Sequence, residues 1–124
     1  MKKLSIFLLI VLLLTGFSAC SPEKKLQNAS SSPESVTTLK LSNAHFKEFP
    51  EEILEMTKLK KLVLFNNNIS EIPSGIGKLK NLEELVLGRN DLKHLPPEIG
   101  KLSKLKKLSL EHNELQSLPS EIGQ

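Results

Sequence analysis

Residues 82–104 read LEELVLGRNDLKHLPPEIGKLSK, and the chain returns to that pattern on both sides of the stretch. Residues 59–81 (LKKLVLFNNNISEIPSGIGKLKN) align with it without a gap. So do residues 105–124 (LKKLSLEHNELQSLPSEIGQ) and, more loosely, residues 36–58 (VTTLKLSNAHFKEFPEEILEMTK). The period is 23 residues, and the fourth unit is incomplete. Repeat positions 1, 4, 6, 11, 14, 18 and 21 provide 27 sites, and every one holds Leu, Ile, Val, Phe or Met in a chain that is 39% hydrophobic. One unit of this length cannot bury its own apolar stripe, whereas stacked units bury a continuous core, so the pattern predicts a solenoid of about four coils.

The residue types give each position a role. Leucines at positions 4 and 6 alternate with polar residues at 3 and 5, the period of two expected of a half-buried strand. Asn67, Asn90 and Asn113 stand at position 9, where the chain leaves the strand. Pro50, Pro73, Pro96 and Pro119 follow the inner loop, where a fixed φ assists the turn. Gly77, Gly100 and Gly123 at position 19 predict positive φ or close approach between coils.

This LxxLxLxxNxL core resembles the leucine-rich repeat, and LPPEIGKL at 95–102 is similar to the second half of the 23-residue bacterial and plant-intracellular subclasses. The resemblance covers residues 36–124. It implies an α/β solenoid: an arc with a short parallel concave sheet, a convex side of loops and short helical or 3₁₀ turns, and an asparagine ladder inside. The first unit departs from the pattern at Ala44, Phe46, Phe49 and Leu54, so residues 36–58 read as an imperfect N-terminal cap. At the other end Leu105, Leu108, Leu110, Leu115, Leu118 and Ile122 are expected to show one flank to water. End-to-end dimerisation, fraying or descent from a longer array would each account for that flank, with a monomer expected.

The N-terminal segment is of another kind. Lys2 and Lys3 precede the apolar run LSIFLLIVLLL at 4–14, and small residues then lead to the single cysteine, Cys20. That layout predicts a signal peptide over 1–19, the apolar run being too short for a stable membrane anchor. FSAC at 17–20 resembles a lipobox, with Phe17 where the usual residue is Leu. The resemblance implies that Cys20 becomes the lipidated N-terminus of a bacterial leucine-rich-repeat lipoprotein, palmitate being the acyl class expected. Ser21 after it favours the outer membrane or cell surface over the inner membrane. Residues 21–35 (SPEKKLQNASSSPES) contain five Ser, two Pro and four charges. With Cys20 they read as a lipidated, disordered tether spanning 20–35.

Chemistry is scarce. Loss of residues 1–19 removes two lysines and leaves 15 basic against 14 acidic residues, and the chain has no Trp or Tyr, so nothing favours nucleic acid. His45, His94 and His112 occupy different repeat positions and do not converge as metal ligands would. No nucleophile has a nearby base, and no cofactor motif is present, so no enzyme, metal or cofactor is expected. Solenoids bind partners on a rigid, variable concave face. Its expected contact residues are Lys40, Lys61, Val63, Phe65, Asn66, Glu84, Val86, Arg89, Lys107 and His112, with Phe65 a large aromatic directed outward. The function expected is protein binding by a lipid-anchored module at the bacterial envelope, facing a host or neighbouring cell. The alternatives are a periplasmic or envelope scaffold and, were the signal unused, an intracellular signalling regulator.

Overall fold

The alternation at repeat positions 3 to 5 produces strands β1 (Thr38–Lys40), β2 (Lys61–Val63), β3 (Glu84–Val86) and β4 (Lys107–Ser109). The computed structural model describes residues 21–123, so the expected signal peptide over 1–19 and Cys20 lie outside the described residues. All neighbouring strands pair in parallel, in the order β1-β2-β3-β4. The register advances by one repeat per strand, aligning Leu39, Leu62, Leu85 and Leu108. The first three of these leucines are buried, as is Leu at position 6 in the first three coils. The chain returns through 3₁₀ turns at Glu51–Glu55, Ser74–Lys78 and Pro97–Lys101. Each turn starts from a repeat proline whose φ lies between −68° and −71°, the value its ring imposes. The architecture is therefore the expected solenoid.

The position-9 asparagines carry the polar part of the core. Asn90 Nδ2 donates to the Leu64 carbonyl of the preceding coil at 3.0 Å and to its own coil at Leu87 at 2.9 Å, while its Oδ1 accepts from Ile69 N–H at 3.1 Å. Asn67 bonds likewise to the carbonyls of Leu41 and Leu64, and its Oδ1 takes the N–H groups of Ala44 and Phe46. Asn113 repeats the arrangement between Leu87, Leu110 and Leu92. Each amide thus satisfies backbone groups that the turn leaves without partners. The ladder bonds reach backward, and the first coil has no preceding repeat. Ala44 at its position 9 follows from that.

The glycines act by close approach between coils. A Cβ on Gly77 would lie 3.3 Å from Glu98 Cβ, and one on Gly100 would lie 2.6 Å from Glu121 Cβ. Position 19 of one coil therefore meets position 17 of the next. In the first coil position 19 is Leu54, and there the facing position 17 is Gly75, whose added Cβ would stand 2.6 Å from Leu54 Cδ1. Every one of these three junctions keeps one glycine, although the glycine changes sides. Of the expected alternatives, positive φ holds for Gly123 (φ 99°).

The segment 21–35 corrects the disordered-tether reading. Pro22–Ser30 form helix α1, capped by Ser21, whose hydroxyl accepts from Lys24 N–H at 3.3 Å. Pro22 supplies the preset φ of a first helical turn, and Glu23 complements the helix N-terminus. The helix packs on β1 and on the turn Glu51–Glu55, with Leu26 buried at 7% exposure and Ala29 against the same core. The segment's own composition is too polar to form a core. It borrows one from the exposed flank of the first coil, so the N-terminal cap of the solenoid is α1, and residues 36–58 form the coil beneath it.

The fourth coil is less buried than the three before it. Leu105, Leu108, Leu110, Leu115 and Ile122 are half-buried, and Leu118 is 54% exposed.

Candidate binding face

The concave sheet presents four rows of side chains, one residue per coil in each row. The row at position 3 runs Thr38, Lys61, Glu84, Lys107. Glu84 lies between two lysines, 2.7 Å from Lys61 Nζ and 3.0 Å from Lys107 Nζ. Behind it Glu83 pairs with Lys106 at 2.8 Å. The hydrogen bonds from Lys61 and Lys107 hold the Glu84 carboxyl below its ordinary value, and the bond from Lys106 does the same for Glu83. Exposed pairs of this kind contribute little stability, and their effect here is to neutralise one side of the sheet.

The row at position 5 holds Lys40, Val63, Val86 and Ser109 in register. At position 7 Phe65 lies beside Gly88, whose carbonyl accepts from Asn66 N–H at 3.0 Å. Val63, Val86 and Phe65 are half-buried and adjoin one another across β2 and β3. The Arg89 guanidinium stacks over the Phe65 ring, with Cζ 5.8 Å from the centroid, so the aromatic is directed outward as expected but is partly covered. Lys40 and Arg89 are both exposed.

The row at position 8 shows something the sequence reading missed. Asn43, Asn66, Arg89 and His112 all have φ of 56–57°, in the left-handed region. Asn tolerates that conformation, and Asn66 Nδ2 donates to Asn43 Oδ1 at 2.6 Å. Arginine is less at ease there. The recurrence of Asn at this position in two of four coils was the available signal.

The sheet therefore brings Lys40, Val63, Phe65, Val86 and Arg89 into one patch, with Lys61, Glu84 and Lys107 forming a charged ladder beside it. Asn66 borders Phe65 on the position-8 row, and His112 stands at the fourth-coil end of the same row. Among the described residues no group of three or more His, Cys, Asp and Glu is placed to hold a metal ion, and no helix is long and apolar enough to cross a membrane.

Two family models match the chain: leucine-rich repeats in two copies over residues 57–97, and the leucine-rich repeat over 80–122. The fold is a leucine-rich-repeat solenoid. Among solved structures, a plant peptide hormone receptor, RGFR1, in complex with RGF2 is 41% identical over 73% of this chain, with a TM-score of 0.66. The functional domain of InlJ from Listeria monocytogenes, which includes a cysteine ladder, is 23% identical over 79% of this chain, with a TM-score of 0.68. An internalin, inlF, from Listeria monocytogenes is 23% identical over 82% of the chain, with a TM-score of 0.64. At that identity the two Listeria structures speak to fold alone. The matches span 15%, 23% and 35% of the lengths of those three proteins. No curated protein sequence matches the chain.

Proposed function

We propose that the protein is a non-enzymatic protein-binding module whose concave leucine-rich-repeat face receives the partner. In this reading the module is tied by lipid at Cys20 to the bacterial envelope and displayed on the outer membrane or cell surface, as a monomer. The observation that carries the binding reading is the patch of Val63, Val86 and Phe65 on an otherwise polar sheet, capped by Arg89. A rigid strand face with one partly desolvated aromatic and a stacked arginine has the residue types that concentrate binding energy at interfaces. The plant peptide hormone receptor with 41% identity, solved in complex with RGF2, supports the use of such a solenoid for a polypeptide ligand. The lipid anchor rests on FSAC at 17–20 and on the apolar run before it.

Phe65→Ala tests the binding reading. Partner capture by the full-length protein should weaken while the melting temperature stays within a few degrees, and unchanged capture would retire this face. Cys20→Ser tests the anchor. It should abolish incorporation of labelled palmitate and release the protein from membranes, and a variant that stays membrane-bound at unchanged mass would contradict lipidation. Surface proteolysis of intact cells then separates outward display, where the protein is shaved, from a periplasmic scaffold, where it is spared.

A further inference from the structure

The charges on the concave face are distributed unevenly. Lys61, Lys106 and Lys107 are each held by Glu83 or Glu84, whereas among the described residues no ion pair engages Lys40 or Arg89. Those two cations flank the apolar patch on opposite corners, Lys40 on the first coil at the start of the Val63–Val86 row and Arg89 on the third, over Phe65. Arg89 also occupies a left-handed backbone slot (φ 56°) that favours Asn, so a long cation is kept there against local preference. One acidic side chain of the protein itself already lies nearby. The Glu111 carboxylate folds over Gly88, the residue immediately before Arg89, in the space that any side chain at that position would fill.

From this arrangement, and resting on the protein-binding reading above, we infer that the patch takes an extended acidic segment of a partner protein, with an apolar side chain on Val63, Val86 and Phe65 and flanking carboxylates on Lys40 and Arg89. Two strand spacings, about 10 Å, separate the backbones that carry Lys40 and Arg89, and the Arg89 side chain reaches back over Phe65 on the coil between them. The segment therefore carries acidic residues on either side of a Leu, Ile or Phe, a few positions apart. Glu111 competes for the same ground by charge.

The test presents the full-length protein, in mild detergent, to an array of random dodecapeptides. Bound peptides should be enriched about threefold or more in Asp and Glu within four residues of a large apolar side chain, with the bias fading in high salt. Arg89→Gln and Lys40→Gln should each lower binding of those peptides about fivefold, at unchanged circular dichroism and near-unchanged melting temperature. Glu111→Gln should raise it. Should the glutamine variants lose fold, the charge bias of the wild-type protein and its salt dependence decide the matter alone. Enrichment for apolar side chains without acidic bias, or a bias that survives both glutamine substitutions, overturns this specificity and leaves the binding face standing. Absence of any enrichment, together with partner capture indifferent to Phe65→Ala, overturns both.

Discussion

Asn90 shows how much of this fold depends on single side chains. The residue is 5% exposed, and its amide joins four backbone groups on two coils. Asn90→Ala leaves those groups buried and unpaired, which costs about 2–4 kcal/mol in urea denaturation. Asn113 makes three of these bonds but is half-buried on the fourth coil, so Asn113→Ala should cost clearly less. Equal losses would mean that the ladder does not act through burial. The inward role of these asparagines was legible in the repeat, because one polar residue recurred inside an apolar frame. The left-handed backbone one position earlier was not, since Arg89 and His112 obscure the preference that Asn43 and Asn66 express.

At the scale of elements, the pairing of position 19 with position 17 makes a reciprocal prediction. Gly75→Glu drives a side chain against Leu54 and should destabilise by about 1–3 kcal/mol; Leu54→Gly is costly by itself because Leu54 is buried, but the double variant should lose clearly less than the sum of the two single variants. Additive losses in the double variant would contradict the junction. Helix α1 was illegible for a physical reason. Leu26 and Ala29 are too few to signal a buried stripe, and the surface that buries them belongs to another element. Ser21-Pro22-Glu23 was the local signal, a capping residue followed by proline at the first helical position. If α1 is the cap, Leu26→Ala lowers stability by about 2 kcal/mol, whereas in a free tether it would change nothing measurable. The carboxylate ladder adds a pH signature. Glu83 and Glu84 titrate below the ordinary value near 4.5, so the stability they contribute is present above that pH and is lost as pH falls through their lowered values. The melting temperature should fall slightly on acidification below about pH 4.5, and Glu84→Gln should make that fall shallower.

The described residues form one stacked solenoid whose first and last coils differ. One flank is sealed by α1 and the other presents half-buried leucines and the exposed Leu118. Between them the repeat determines both the core and the frame of the concave rows, which is why a stacked solenoid could be read from periodicity and its parallel concave sheet from the resemblance to leucine-rich repeats. What periodicity leaves free is the identity of the residues at positions 3, 5, 7 and 8, and there the lone patch around Phe65 separates this sheet from a uniformly polar one. The central claim, that the concave face binds the partner, is tested most directly by installing a photocrosslinking amino acid in the full-length protein in cells. One variant carries it in place of Val86 on the concave sheet, the other in place of Lys101 on the convex turn. The account predicts a discrete covalent adduct from the concave position and none from the convex one. An adduct from the convex position alone would contradict it.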